Sequence, residues 1–244
     1  MMLFRIPAYS MIGLLAGLSL SAHAQPLAAG IASTCLVVPS LEVNVGTPVD
    51  GVLEVVNADR GDLVERGQLL ARLNSGVESA AASYVAAKVE FGTRKRDRNE
   101  DLRRQQLISE QELDEIETER SLAQLELRER EEQLRLRSIV SPMRGVVVER
   151  FRGRGDMVSR EKIFRLAQLD PLHVEAVIPA QMFGKVKLGQ KGKVGLELIG
   201  TEVQATVSSV DRVIDPASGT FRVRLALPNP KYEIPSGLRC SLGF

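Results

Sequence analysis

Two stretches decide the architecture: PVDGVLEVVNADRGDLVERGQLLARL at residues 48–73 and PMRGVVVERFRGRGDMVSREKIFRL at residues 142–166. Pro48, Gly51, Val52, Arg60, Gly61, Asp62, Val64 and Arg66 recur as Pro142, Gly145, Val146, Arg154, Gly155, Asp156, Val158 and Arg160, always 94 positions later. Identities at one fixed offset, without a gap, make an internal repeat. Each copy alternates apolar residues at period two, as in Val49, Gly51, Leu53 and Val55, so each reads as short strands joined by turns. Asp59-Arg60-Gly61-Asp62 and Gly153-Arg154-Gly155-Asp156 fall at the equivalent turn. Gly61 and Gly155 can take φ > 0 there, and the flanking Asp can hold nearby backbone amides. Recurrence at one repeat position favours this turn reading of Arg-Gly-Asp over an adhesion signal. Neither copy has apolar surface enough to fold alone. Two halves of about 25 residues packed face to face make a small β-sandwich.

The segment between the copies, 75–138, is strongly helical. Ser75-Gly76-Val77-Glu78 and Ser109-Glu110-Gln111-Glu112 both fit a capping box, and no Pro interrupts the run before Pro142. Val77, Tyr84 and Phe91 recur every seven residues on the first helix, continuing to Arg98. Leu113, Leu127 and Leu134 share one such register on the second, which Arg120 interrupts, and Ile116 and Ala123 supply the other seam position. Facing seams and a tight turn predict an antiparallel coiled-coil hairpin of two helices, each about 40–48 Å long at 1.5 Å per residue. The charged runs RKRDR, EDLRR and RERE read as a solvated face with i,i+4 pairs.

After Pro171, strand-like runs resume at 172–178, 193–198, 203–210, 221–227 and 239–244, separated by Gly, Asn and Pro turn signals. Several short strands so punctuated predict a small closed barrel. The domain lacks the successive lipid-facing strands of an outer-membrane barrel. The fold class is therefore mainly β with a long α-helical hairpin: a β-sandwich split by a coiled coil, followed by a small barrel. The expected divisions are 1–24 a signal peptide, 25–36 a linker, 37–74 the first half-motif, 75–138 the hairpin, 139–168 the second half-motif and 169–244 the barrel.

The N-terminus carries one charge, Arg5, before the apolar run Met11–Leu20, which is short for a bilayer span. Ala22-His23-Ala24 offers the small-x-small pattern of a signal peptide, with cleavage between Ala24 and Gln25 and an uncleaved anchor as the alternative. A lipid anchor on Cys35 is disfavoured by its distance from the apolar run. Export puts the only two cysteines, Cys35 and Cys240, in an oxidising compartment. One disulfide closing that loop would stabilise by about 4–5 kcal/mol in the chain-entropy view. Two separate buried thiols are the other reading, because sequence fixes no Cα separation.

The half-motifs resemble the lipoyl/biotinyl fold, but no modifiable lysine sits between them: Lys88, in AAKVE, has no carrier context. Half-motif, helical hairpin, half-motif and β-domain in that order resemble the periplasmic adaptors, the membrane fusion proteins of resistance-nodulation-division efflux pumps. The family's tip pattern, Arg, three residues, Leu, six residues, Ser, is matched in RNEDLRRQQLIS by Arg98, Leu102 and Ser109, and QELDE follows as in that family. DPASGTFRVRLALPNP and IPSGL resemble the adaptors' barrel. The resemblance implies that Arg98, Leu102 and Ser109 dock onto an outer-membrane channel protein. It also implies an inner-membrane transporter of the resistance-nodulation-division type, several copies packed side by side as a homo-oligomer, and location in the periplasm. The sequence stops at Phe244, which suggests a short form lacking the membrane-proximal domain that many adaptors add. Ser109 caps a helix in any case, a role worth about 1 kcal/mol.

A net charge of +1, 4% aromatics and no Trp argue against nucleic acid as partner. No Cys-x-x-Cys, His-x-x-x-His, nucleophile elbow or phosphate loop is present. The expectation is a non-enzyme without cofactor or metal. A lipoyl or biotin carrier and a structural coiled-coil protein of the envelope, unconnected to a pump, are the rival readings.

Overall fold

The computed structural model describes residues 33–244. The expected signal peptide, with its Ala24–Gln25 cleavage point, lies outside them. The first repeat copy forms β2 (Gly51–Val56), β3 (Leu63–Val64) and β4 (Leu69–Leu73), preceded by β1 (Ser33–Gly46). The second forms β6 (Gly145–Arg150), β7 (Met157–Val158) and the start of β8 (Lys162–Pro179), preceded by β5 (Ser138–Val140).

The copies exchange strands. Leu63 and Val64 pair with Val146 and Gly145, and 94 residues on, Met157 and Val158 pair with Val52 and Gly51. The turns repeat the same symmetry. Gly61 at φ 95° and Gly155 at φ 91° supply the left-handed residue. Asp62 Oδ2 accepts from the Asp59 N–H and Asp156 Oδ2 from the Gly153 N–H, both at 2.7 Å. Gly61 N–H then donates to the Val147 carbonyl (2.9 Å) and Gly155 N–H to that of Leu53 (2.8 Å). This local two-fold explains why the turn residues recur. Leu53, Val64 and Leu70 and their mates Val147, Val158 and Phe164 are buried in one core. Burial of each is worth about 1.5–3 kcal/mol before entropy is counted. Close packing fixes Gly145 as well: a Cβ there would lie 2.6 Å from the Ala167 carbonyl oxygen.

β9 (Lys191–Leu196), β10 (Thr201–Val210), β11 (Thr220–Leu227) and β12 (Arg239–Gly243) complete the second body. The order β1-β12-β9-β10-β11-β8, with β8 paired back to β1, closes a six-stranded barrel. Its first strand corrects the expected linker: residues 33–36 are strand, with Ser33, Cys35 and Val37 pointing into the barrel core. Pro39 two residues later hid that short alternation. The expected division at 168/169 also falls inside β8, which continues from sandwich into barrel beside β1. A register shift between Pro39 and Leu41 marks the crossing. Buried Asn229 secures it. Its Nδ2 donates to the carbonyls of Leu169 and Ile234, its Oδ1 accepts from Ile234 N–H, and its own N–H meets Asp170 Oδ1.

The insert forms α1 (Gly76–Arg104) and α2 (Glu110–Arg135). It leaves and re-enters at one point, because Arg72 of β4 is the ladder partner of Ser138 of β5. The α2 seam is as expected, with Leu113, Ile116 and Ala123 buried. The α1 seam is not. Val77, Tyr84 and Phe91 are 79%, 73% and 55% exposed, and the buried residues are Ala82 and Val85. The inward positions continue every three or four residues through Val89, Gly92, Arg96 and Asn99, all half-buried. Small and polar side chains occupy the contact, so bulk and hydrophobicity pointed to the wrong face. Gly92 makes room for Arg120, whose Cγ would lie 3.5 Å from a Cβ there. The first capping box is also corrected. Ser75 makes no side-chain cap, Asn74 Oδ1 accepts weakly from Gly76 N–H (3.4 Å), and Glu78 turns to Arg137 instead.

Candidate functional site at the hairpin tip

The tip is the turn between α1 and α2. α1 ends at Gln105, and Gln106 takes the left-handed conformation at φ 63°. Leu107 N–H donates back to the Leu102 carbonyl (2.9 Å) and Gln106 N–H to that of Arg103 (2.8 Å). These two bonds satisfy the carbonyls of Leu102 and Arg103 in the last turn of the helix. They also bring Leu107 into the position that such caps use for an apolar contact with the residue five before it, Leu102. Leu107 is 65% and Leu102 37% exposed. α2 starts on Ser109, whose Oγ accepts from the Glu112 N–H at 3.2 Å, half of the expected box.

Arg98 lies one turn before Leu102 and is exposed. Among the described residues it has no ion-pair partner: Asp97 is taken by Arg96 at 3.2 Å and Asp101 by Arg104 at 3.7 Å. One short turn thus carries a cation, two exposed leucines and a capped helix start. The sequence reading supplied Arg98, Leu102 and Ser109 and missed Gln106 and Leu107. A left-handed cap is usually signalled by Gly or Asn, and Gln gives no such signal.

Two ion pairs set the register of the helices. Lys88 Nζ meets Glu126 Oε2 at 3.0 Å and Lys95 Nζ meets Glu119 Oε2 at 2.9 Å, seven residues on in one helix and seven back in the other. The hydrogen bond to Glu126 raises the Lys88 pKa, and that from Lys95 lowers the Glu119 pKa. Lys88, the only lysine considered for a carrier role, is thus mid-helix and paired. At the base, Arg137 Nη2 donates to Glu78 Oε1 (2.6 Å) and Nη1 to the Asp50 carbonyl (2.8 Å). That one side chain ties the end of α2 to the start of α1 and to the sandwich.

In the barrel, Cys35 of β1 faces Cys240 of β12 with Cα atoms 4.8 Å apart, and a disulfide joins them. His173 is a β8 strand residue whose pKa burial pushes down. Among the described residues no group of three or more His, Cys, Asp or Glu side chains could hold a metal ion. No helix among them is long and apolar enough to cross a membrane.

A family model described as a CzcB-like barrel-sandwich hybrid domain matches residues 41–168, more than half of the chain. The chain belongs to the membrane fusion proteins of the resistance-nodulation-division type. A second model, the CusB-like β-barrel domain, matches residues 171–243 of this membrane fusion protein. Among curated proteins it is 25% identical over 206 residues to the cobalt-zinc-cadmium resistance protein CzcB of Cupriavidus metallidurans, covering 77% of this chain. It is 24% identical to the cation efflux system protein CzcB of an Alcaligenes species over the same share. The chain spans only 39% of the length of each of these relatives. A crystallised MacA–MexA chimera carrying the Pseudomonas aeruginosa MexA α-hairpin superposes with a TM-score of 0.74 at 20% identity, over 87% of this chain and 79% of that one. MacA from Actinobacillus actinomycetemcomitans gives 0.63 at 21% identity, over 88% and 78%. These likenesses show the fold: barrel-sandwich, helical hairpin and closed barrel.

Proposed function

We propose that this membrane fusion protein is the periplasmic adaptor of a tripartite efflux system. It carries no catalytic centre in this reading. The hairpin tip docks onto an outer-membrane channel through Arg98, Leu102 and Ser109, and the β-domains engage an inner-membrane transporter of the resistance-nodulation-division type. Several copies stand side by side to line the conduit, and residues 1–24 direct export. The names of the curated relatives make cations the first cargo class to test.

The observation that supports docking best is the tip itself. The turn sets together Leu102, Leu107 and an arginine without an ion-pair partner among the described residues, at the end of a helix about 43 Å long. A capped, sharply turned tip offers an apolar wedge and a cation to a groove between channel helices. Arg98→Asp reverses the charge and Ser109→Arg adds bulk. Each variant is expected to keep wild-type helix content while losing co-purification with the channel and efflux-dependent resistance. Full pump function in either folded variant rules the docking role out.

A further inference from the structure

Half of the chain's lysines fall in one short stretch. Lys185, Lys187, Lys191 and Lys193 are four of eight, and residues 180–193 contain no acid. β1 and β8 both run between sandwich and barrel, so Ser33 and Pro179 mark the barrel end remote from the sandwich. The lysine stretch joins β8 to β9 at that end. The turn between β10 and β11, residues 211–219, lies beside it, because Ala180 N–H donates to the Gly219 carbonyl (2.9 Å). Both segments are held firmly. The Phe183 ring meets the buried Phe221 ring edge-on, with centroids 5.4 Å apart. Gln190 Oε1 accepts from Lys187 N–H (3.1 Å), and Gly189, at φ 78°, donates its N–H to the Val207 carbonyl (2.9 Å). Asp215 Oδ1 accepts from Ala217 N–H (2.9 Å) in the second turn. Leu188 is exposed between Lys187 and Lys191, and Val213 is exposed beside Arg212. Among the described residues the barrel strands form one ion pair, Arg224 with Glu175 at 2.8 Å, and neither the four lysines nor Arg212 has a partner.

We propose that this end of the barrel docks on the surface of an anionic phospholipid bilayer, with Leu188 and Val213 entering the interface and the lysines meeting lipid phosphates. This surface goes beyond the adaptor reading and does not depend on it. Three features select lipid as the occupant. The two apolar side chains stand on adjacent turns, so they form a wedge and not a socket, and each has cations beside it where headgroup phosphates would lie. The charge is one-sided as well. The two segments carry five cations against Asp211 and Asp215, and Asp215 is already engaged by its own turn. The cation used is mainly lysine, although arginine is much the commoner base in the chain as a whole. Lysine is a flexible point charge, suited to a diffuse anionic layer, whereas arginine suits a fixed bidentate partner. A cluster of unpaired bases around exposed apolar side chains is the composition by which a protein lies on an anionic membrane without crossing it.

The test is co-sedimentation of the full chain with vesicles of phosphatidylglycerol mixed into phosphatidylcholine, and with vesicles of phosphatidylcholine alone. Binding is expected to be at least about tenfold tighter on the anionic vesicles and to weaken as salt is raised. Lys187→Glu should lower it about tenfold. Lys231→Glu, exposed between β11 and β12 at the barrel's other end, should leave it unchanged. The chain has no Trp, so Leu188→Trp supplies a single reporter. Its emission should shift to the blue on anionic vesicles and be quenched by brominated acyl chains. Lys187→Glu should keep helix content and channel capture, which separates this surface from the tip. Absent vesicle binding with channel capture intact sinks the lipid surface and keeps the adaptor reading, and vesicle binding without channel capture does the reverse. Equal binding to both kinds of vesicle overturns the assignment, as does an unquenched Trp at position 188. So does release from vesicles by inorganic phosphate at constant ionic strength, or a Lys187→Glu variant that loses capture of another protein and binds vesicles as before.

Discussion

At the residue scale, Gln106 shows how the tip is held. Its left-handed backbone costs an L residue about 1–2 kcal/mol, and nothing in the turn requires a side chain there to close the two cap bonds. Gln106→Gly is therefore expected to stabilise the protein by about 0.5–1 kcal/mol after allowing for glycine's greater freedom when unfolded. A rise in the thermal midpoint checks this, and a fall would show that the Gln side chain contributes packing not credited to it. Ser109 was legible as a cap, and Leu102 through the tip pattern of the family that the sequence resembles. Gln106 and Leu107 were not, because what makes them matter is one backbone dihedral.

At the element scale, the hairpin is specified by its rungs and its root more than by its seam. Arg137 is the root. Arg137→Met keeps the aliphatic stem but removes the half-buried bond to Glu78 and the exposed one to the Asp50 carbonyl. A loss of about 1.5–3 kcal/mol is expected. Spin labels at the tip and on the sandwich should report a broader distance distribution, and an unchanged one would show that other contacts orient the hairpin. The rungs set the pH window. Glu119 has its pKa lowered, so its contribution is present above the ordinary value of 4.5 and is lost as the pH falls through the folded value below it. Lys88 has its pKa raised, so its contribution is present below 10.5 and is lost as the pH rises through a folded value above that. Helix content by circular dichroism is expected to stay level between those two values. A step near neutrality would contradict the assignment. Both rungs are exposed, so each contributes little alone and more as register than as stability. The sequence revealed two helices and an antiparallel turn but misplaced one face, since Ala82, Val85 and Gly92 signal a contact far less loudly than Tyr84 and Phe91.

At the scale of the molecule, the repeat was the most legible feature. Its 94-residue offset became a local two-fold in which paired residues map onto paired residues. The sixth barrel strand was hidden, because it is supplied from the other end of the chain and sequence proximity says nothing about that partnership. Cys35 and Cys240, 205 residues apart and both buried, bind this strand to β12. Replacing both with Ala is expected to destabilise the oxidised protein by about 5 kcal/mol in the chain-entropy view. Reductant should shift the melting of the wild type and leave the variant unmoved. Equal melting of the two under oxidising conditions would show that the barrel closes equally well without the bond.

Arg72 and Ser138 sit opposite each other on neighbouring strands, so the chain departs and comes home through a single doorway. Nothing in the sandwich's own ladders counts how many residues pass between. The reach of the hairpin is thus a free variable. Matched additions or removals of seven residues in α1 and α2 preserve facing and rung spacing, and each alters the span by about 10 Å. A hairpin on this plan can be lengthened or shortened while its foundation stays as it is.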